Sequence, residues 1–481
     1  MSFKQSLLNG VFYIGLARNL GLVFQVLVTS ILARLLTPAE YGVVALAFMI
    51  VSFFNLFSDV GLGVAVIQRK DLDDKELDSL FSMNVLLGLV IAGIFYLSSQ
   101  TIADYYDTPE LATACKWLSL MLVFNCASTV PMNVLYRDIQ FKYMAITVFT
   151  VQFCIGVLSI ILAFCGYGVY ALVYTQIISS GLLFLSYFCK ARRSLICRLD
   201  LKPIRKIFSY SVYNFLSSML AYFSLNIDKL IIGKTISAEG LSYYEKSNRL
   251  VQLPMSNVSM AITPVLQPLF SEFQHDYKTL GDKYFKLISQ LAYLSFSLAV
   301  LFFFTAREWV LIFFGGQWLL SIPLFEVMSL AMAVMILDST TASVFNAANE
   351  TKRGFYTMSV VFIVMVVSIM TASWFWNTLI SMAYAYLVAK IMGFIISFYS
   401  LTRGIEGSMR TLFSGLVKPL LVNMMLAFIL YLLVQYVAIE NVIFSLTMKG
   451  AVWLAASFVL LRLISGMNIF TLFYSFIMKR S

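Results

Sequence analysis

The sequence predicts an all-α integral membrane protein, and three observations support that prediction. Hydrophobic residues make up 60% of the 481-residue chain and charged residues only 12%, with a mean hydropathy of +0.86. Soluble domains are about 45–50% apolar and about 25% charged, so this chain has too little polar surface for water. The apolar runs are each about 20 residues long, which is one helical crossing of the hydrocarbon core. The basic residues gather in the short segments between the runs.

Fourteen membrane-spanning helices are predicted in chain order. The first six have approximate cores at residues 10–33, 42–67, 79–98, 115–135, 144–164 and 169–189. The next six lie at 208–232, 242–269, 285–305, 322–346, 355–375 and 379–400, and the last two at 413–435 and 441–464. The eighth run is the least apolar and carries three prolines, at which a helix is expected to kink or break.

The distribution of lysine and arginine predicts the orientation of these spans. With the N-terminus placed in the cytoplasm, the inner loops hold most of the basic residues, including the dense segment 190–206. The opposite loops hold mainly Arg34, Lys234 and Arg307. Basic residues mark cytoplasmic loops, so both termini are predicted to be cytoplasmic and the number of spans to be even. The net charge of +10 is then loop charge that sets topology, and it forms no continuous basic face for nucleic acid.

The chain divides into three predicted parts at its basic loops. Residues 1–200 form an N-terminal lobe of six spans, 201–402 a C-terminal lobe of six spans, and 403–481 two further spans with an amphipathic tail. The apolar hairpin at 31–70 has a weaker echo at 231–254. Repeats with an even number of spans keep the same orientation, so the two lobes are predicted to be related by a parallel pseudo-two-fold axis along the membrane normal.

Charged residues inside the spans are the main indication of function. Each costs ~2.5–3.5 kcal/mol at a helix centre, so it is expected to face a bundle interior or a wet cavity. The basic candidates are Arg18, Lys246, Arg249 and Lys390, and the acidic candidates are Asp59, Asp228 and Asp338.

Each candidate also has a structural interpretation. Lys246 and Arg249 are three residues apart on one helix face, where they either meet an anion or leave Arg249 paired with Glu245. Asp59 is either a cavity or gate residue or a structural partner. Asp228 and Lys229 close the seventh predicted span, and the structural alternative is that one of them snorkels to the membrane interface. Asp338 and Lys390 are deeper candidates for coupling or substrate contact.

No enzyme site or resident metal is predicted. The Gly233-Lys234-Thr235 triplet looks like the end of a phosphate-binding loop, but Asp228 stands where the first glycine of that motif is required. The single histidine, His275, lies in a polar loop, and the six cysteines have no metal-ligand or redox spacing. No large extramembrane segment is available to hold a catalytic site.

Three segments resemble a known transporter family. They are ILARLLTPAEYG at 31–42, FSDVGLGVAVIQRKDLD at 57–73 and LNIDKLIIGKTISAEGLSYYEKSNRLVQLP at 225–254. They are similar to the polysaccharide-transport family of the multidrug/oligosaccharidyl-lipid/polysaccharide (MOP) superfamily, and within it to Wzx-type flippases of the colanic-acid and teichuronic-acid exporter branch. The chain departs from the family pattern at Leu269-Phe270-Ser271, where the family often has a proline.

The resemblance implies a MATE-like fold, in which two six-helix lobes enclose a central cavity and two helices are appended. It also implies a flippase for polyprenyl-diphosphate-linked oligosaccharide units in the bacterial inner membrane, working by alternating access and driven by Na+ or H+. Arg18, Lys246 and Arg249 are the predicted diphosphate contacts. Membrane lipid and a polysaccharide polymerase or export machinery are the implied partners.

Two other functions fit the same composition. A drug or metabolite extruder of the superfamily is expected to have an apolar or acidic cavity, so the excess of basic candidates favours an anionic lipid-linked sugar. A membrane enzyme that acts on the same lipid carrier typically has a large outward loop, whereas the longest one here is roughly 99–114.

Overall fold

The computed structural model describes residues 20–59, 66, 73–191, 208–405, 407–437 and 439–465, and every regular element among them is helical. The long helices are α1 (Leu20–Leu35), α2 (Pro38–Asn55), α3 (Asp74–Tyr105), α4 (Pro109–Arg137), α5 (Phe141–Phe164), α6 (Val169–Ala191), α7 (Phe208–Thr235), α8 (Ala238–Ser271) and α9 (Tyr277–Phe304). They continue with the short α10 (Ala306–Phe313), then α11 (Ser321–Asp338), α12 (Thr341–Ala347), α13 (Thr351–Phe375), α14 (Leu379–Gly404), α15 (Met409–Tyr436) and α16 (Val442–Leu460).

Eleven spans in the described ranges are long and apolar enough to cross a membrane, with the α11–α12 stretch counted as one. Helix α1 is apolar but its described part is shorter. Helices α7 and α8 have the length, yet the charges of Asp228, Lys229, Glu245, Lys246 and Arg249 lie on them. The prediction of a multi-pass helical membrane protein is therefore confirmed.

The predicted turn at Thr37-Pro38 is built as a helix N-cap. The Thr37 hydroxyl oxygen accepts from the Glu40 amide at 3.3 Å, and the Thr37 amide donates to Oε2 of Glu40 at 2.8 Å. This reciprocal pair satisfies two amides that have no partner inside α2. Asp73 and Glu76 form the same box at the start of α3. Both boxes fix the points at which the chain enters the apolar helices.

The chain forms two compact units, and the first comprises residues 1–226 and 237–242. Within it α3 packs on α4, α4 on α6, and α5 on α6. The turn after α7 also belongs to it, and there Gly42 faces the backbone of Ala238 so closely that a Cβ atom would overlap the Ala238 carbonyl. The two echoing hairpins thus touch through a position where a side chain does not fit.

The N-terminal half of α7 packs on α2 through aromatic rings. The ring of Phe53 lies 5.8 Å from Tyr222 and 5.6 Å from Phe223, centroid to centroid. The Tyr222 hydroxyl donates a 2.6 Å hydrogen bond to the backbone carbonyl of Met49. Aromatic pairs at these separations contribute beyond their buried area, so this half of α7 is firmly attached to the first unit.

The second unit comprises residues 227–236 and 243–481, and its packing order follows that of the first. Helix α9 packs on α11, α11 on α14, and α13 on α14, while α15 packs on α9 and α16 on α15 and α10. Helix α8 is continuous from Ala238 to Ser271 with Pro254, Pro264 and Pro268 inside it. The break expected at the prolines is therefore absent there, because membrane helices tolerate proline where neighbouring groups take up the freed carbonyls.

A helix does break where none was predicted, between α11 and α12. The predicted span 322–346 is interrupted at Ser339 and Thr340, whose hydroxyls each donate a 2.7 Å hydrogen bond back to a backbone carbonyl three residues earlier. Thr340 also meets the hydroxyl of the buried Tyr284 at 2.7 Å. Side-chain bonds of this kind compete with the helical ladder, which explains the interruption.

Helix α16 is attached to the second unit by a buried ion pair. Nζ of Lys449 lies 2.5 Å from Oε1 of Glu308 on α10, and Ser445 donates to the same oxygen at 2.6 Å. Lys449 also donates to the carbonyl of Phe304 at 2.9 Å. The second carboxylate oxygen of Glu308 is buried and has no hydrogen-bond partner in the described chain.

Candidate functional site

The second unit contains a buried group of polar side chains, which we call the polar cluster: Asp228 on α7, Tyr244 on α8, Asp338 on α11, and Tyr386 and Lys390 on α14. Asp228 is only 2% exposed, and its Oδ2 accepts a 2.7 Å hydrogen bond from the Tyr244 hydroxyl. The Tyr244 ring contacts that of Tyr386 edge-on at 6.2 Å. Polar groups inside membrane helices are costly and typically mark a functional path.

Lys390 stands between the two acidic members of the polar cluster. It follows Tyr386 by one helical turn, and its ammonium lies 5.1 Å from the centre of that ring. Its charge interacts with both Asp228 and Asp338. Within the described residues, Lys390 forms no direct ion pair with Asp228 or with Asp338. The three charged side chains are therefore close without being in direct contact.

Asp338 lies at the helix break, as the last residue of α11. The hydroxyls of Ser397 and Thr341 lie beside its carboxyl group. Its Oδ1 atom is buried and accepts no hydrogen bond in the described part of the chain. A buried carboxylate oxygen without a partner is costly, and such an atom beside a broken helix is a natural contact point for a cation or a proton.

Lys246 and Arg249 have different environments although they are three residues apart on α8. Lys246 is 4% exposed, and its ammonium lies 5.2 Å from the ring centres of both Phe314 and Trp318. Arg249 is half-buried and makes no hydrogen bond with described residues. Glu245 does not pair with Arg249, because its Oε2 lies 3.0 Å from Nζ of Lys229.

Two predicted site residues are beyond what the structure describes. Arg18 lies outside the described residues. The backbone of Asp59 ends a short 3-10 turn, Leu56–Asp59, and its side chain is not described. The roles predicted for all seven residues stay predictions.

The structure adds three residues that the sequence interpretation did not select. Tyr244, Tyr386 and Ser397 connect the predicted charges and carry no charge themselves, so a search for charged residues in spans passes over them. A usable signal was present for Tyr386, since it precedes Lys390 by four residues and therefore shares its helix face.

A family model described as "Polysaccharide biosynthesis protein" (Polysacc_synt_3) matches residues 31–323, more than half of the chain. The chain belongs to this family. The resemblance to polysaccharide-transport proteins is thereby confirmed, and both echoing hairpins fall inside the matched range.

Relatives of this family member occur in several bacteria. It is 23% identical over 426 residues to the teichuronic acid biosynthesis protein TuaB of Bacillus subtilis. That alignment covers 88% of each chain. It is also 23% identical over 340 residues to the lipopolysaccharide biosynthesis protein WzxC of Escherichia coli, covering 68% of this chain and 67% of that one.

Solved structures share the fold of this family member. The lipid II flippase MurJ in an inward closed conformation aligns with a TM-score of 0.73 at 15% identity, over 93% of this chain and 98% of MurJ. An inward-facing multidrug resistance MATE family transporter of the MOP superfamily aligns with a TM-score of 0.57 at 15% identity, over 81% and 96% of the two chains. These two alignments support the predicted MATE-like fold.

Proposed function

We propose that this protein is a flippase that moves polyprenyl-diphosphate-linked oligosaccharide units from the cytoplasmic to the outer leaflet of a bacterial inner membrane. The observation that carries the proposal is the alignment of 93% of the chain with the fold of a lipid II flippase, in a chain of the polysaccharide biosynthesis family. A diphosphate and a sugar do not cross hydrocarbon unaided, so the protein supplies a polar path while the polyprenyl tail stays in lipid. The protein transports its substrate and catalyses no covalent reaction.

The proposed architecture has fourteen membrane-spanning helices. Residues 1–200 and 201–402 form two six-helix lobes related by a parallel pseudo-two-fold repeat, and 403–481 adds two helices and the tail. The matching packing orders support it, since α3–α4, α4–α6 and α5–α6 in the first unit have counterparts in α9–α11, α11–α14 and α13–α14. Both termini are cytoplasmic, as the loop charges favour.

The substrate contacts in this proposal are cationic. Arg18, Lys246, Arg249 and Lys390 bind the diphosphate and adjacent sugar during alternating access of the lobes. Arg249 supports the idea best among the described residues, because its guanidinium is half-buried and makes no hydrogen bond with any of them. A planar guanidinium matches phosphate oxygens in two parallel hydrogen bonds.

Coupling to a Na+ or H+ gradient is assigned to Asp59, Asp228 and Asp338 as gate or ion-binding residues. The free Oδ1 of Asp338 and the helix break beside it support this part of the proposal. A polymerase or export machinery in the same membrane receives the flipped unit.

The test is complementation of a flippase-null strain together with flipping in proteoliposomes. Arg18→Ala and Arg249→Ala are expected to abolish polymer output while the protein still inserts, because each removes a diphosphate contact. Arg307→Ala is the matched control, since Arg307 is exposed on α10. Normal polymer output from both variants would contradict the substrate assignment. Export of organic cations with no flipping of lipid-linked sugar would favour a drug extruder instead.

A further inference from the structure

A partly open cavity of about 320 Å³ lies in the first unit, and none of its described lining residues is among those assigned above. It is lined from four helices, α1, α4, α5 and α6. Its polar lining consists of Gln25, Tyr136, Gln152 and Tyr187, and its walls include the rings of Phe141 and Phe149. Helices α1 and α5 meet at its edge, where a Cβ atom on Gly21 would come within 2.8 Å of Oε1 of Gln152.

The polar groups that line this cavity make no side-chain hydrogen bond with the described residues of the chain. Tyr187 is 4% exposed, yet its hydroxyl makes no hydrogen bond with any described residue. The neighbouring Tyr143 hydroxyl, by contrast, donates to the carbonyl of Ser186 at 2.9 Å. The hydroxyl of Tyr187 is therefore available to a group that enters the cavity.

The two carboxamides of the lining, Gln25 and Gln152, are exposed and lie on α1 and α5. Gln152 lies halfway along the apolar α5, and Gln25 faces it from α1 across the cavity. Neither makes a hydrogen bond with a described residue. A polar side chain in the middle of a span is expected to serve a cavity or a ligand path rather than to face lipid.

The lining chemistry selects a neutral ligand that carries hydroxyl groups. The described residues that line the cavity carry no charged side chain. Carboxamides and phenols both donate and accept, as sugar hydroxyls do. The aromatic rings offer faces to the C–H side of a sugar ring. Small-molecule sites occupy about 300–1,000 Å³, and a volume at the lower end suits one sugar ring rather than an oligosaccharide.

We propose that this cavity is a sugar-binding subsite that holds one sugar of the lipid-linked oligosaccharide and contributes to substrate selection. The inference rests on the proposed flippase function and adds the residues Gln25, Gln152, Tyr136 and Tyr187 to it. The first unit then recognises sugar by neutral hydrogen bonds, while the diphosphate is bound elsewhere by cations.

Native mass spectrometry of the full-length protein in detergent tests the subsite with defined probes. These are undecaprenyl diphosphate without sugar, the same carrier with one glucose, galactose or N-acetylglucosamine, and phosphatidylglycerol. We expect the wild-type protein to bind at least one glycosylated carrier more tightly than the bare carrier. Gln152→Leu and Tyr187→Phe are each expected to lower that preference about five- to tenfold, the effect of one neutral hydrogen bond, with binding of the bare carrier unchanged.

Tyr96→Phe is the matched control, because Tyr96 is half exposed on α3 and lies outside the cavity; it is expected to keep the wild-type preference. No preference for any glycosylated carrier in the wild type, or an unchanged preference in both cavity variants, overturns the subsite and leaves the flippase proposal standing. Loss of phosphatidylglycerol or bare-carrier binding in the variants also overturns it, since the cavity would then bind lipid. Failure of the wild type to bind any polyprenyl diphosphate contradicts the flippase proposal itself.

Discussion

The phenol of Tyr244 donates a 2.7 Å hydrogen bond to Oδ2 of Asp228, and both side chains are buried inside the second unit. This bond joins α7 to α8. A carboxyl group in such surroundings is stable only when donors or charges compensate it. The contact therefore supports both the local structure and any transport role of Asp228.

Removing the Tyr244 hydroxyl is predicted to destabilise the protein. Tyr244→Phe leaves the Asp228 carboxyl without this donor, at a cost of about 1–3 kcal/mol. The measurement is the apparent melting temperature in detergent. Tyr384→Phe serves as the control, because Tyr384 is 54% exposed on the neighbouring α14. Asp228→Asn keeps a hydrogen-bond acceptor and is expected to lose less stability than Tyr244→Phe. Equal melting temperatures for Tyr244→Phe and the control would refute the role of the bond.

The Lys449–Glu308 pair is predicted to be the main attachment of α16. Lys449→Met leaves a buried carboxylate without its cation, which typically costs about 3–5 kcal/mol. The double variant Glu308→Gln/Lys449→Met removes both charges and is expected to regain most of that loss. Limited proteolysis and melting in detergent measure the effect.

The control for this pair is Lys352→Met, which removes an exposed lysine at the start of α13. If the double variant is no more stable than Lys449→Met alone, the two side chains act independently and the attachment lies elsewhere.

Gly42 is predicted to tolerate no larger side chain. Gly42→Val forces a Cβ into the backbone carbonyl of Ala238, which cannot move aside as a flexible side chain does. Overpacking of this kind typically costs about 1–3 kcal/mol, so we expect lower stability and lower polymer output. Gly93→Val is the matched control, because a Cβ at Gly93 meets nothing within 4 Å. Wild-type stability in Gly42→Val would mean that the two hairpins do not touch as described.

Removing the charge of Asp338 is predicted to abolish coupling to the ion gradient while substrate binding is kept. Asp338→Asn keeps the size and the hydrogen-bonding contacts of the side chain beside Ser397 and Thr341 but removes its charge. If the carboxylate takes the coupling ion, flipping in proteoliposomes loses its response to an imposed Na+ or H+ gradient, while binding of undecaprenyl diphosphate stays near wild type. Asp282→Asn, on the exposed side of α9, is the control. A full gradient response in Asp338→Asn would exclude this residue as the coupling group.

Much of the fold followed from the sequence, because the bilayer imposes one strong rule on every crossing segment. An apolar run of about 20 residues has to be a helix, and the Thr37-Pro38 turn carries its own capping signal. The break at Ser339 and Thr340 was missed, since it depends on the contact of Thr340 with Tyr284, which lies 56 residues earlier in the chain. A hydropathy profile averages over a window of neighbouring residues, so it holds no information on a contact between residues that are far apart in the chain.

The site was predictable only in its charged members. Asp228, Asp338 and Lys390 stood out because charge in a span is rare. The cavity lined by Gln152 and Tyr187 did not, since neither side chain is charged and the meeting of four helices at one cavity is a property of three-dimensional packing. The burial of Lys246 against Phe314 and Trp318 could not be foreseen either, because those rings lie about seventy residues away in the chain.

The ion pair that attaches α16 to the second unit also has a consequence for biogenesis. Lys449 lies on the apolar helix α16, and a lysine in such a helix is poorly accepted by the translocon on its own. Its partner Glu308 lies 141 residues earlier in the chain, so Glu308 is synthesised before the lysine that compensates its charge. Stable insertion of α16 thereby depends on correct assembly of the second unit, since a molecule that misplaces α10 leaves Lys449 without its counter-charge.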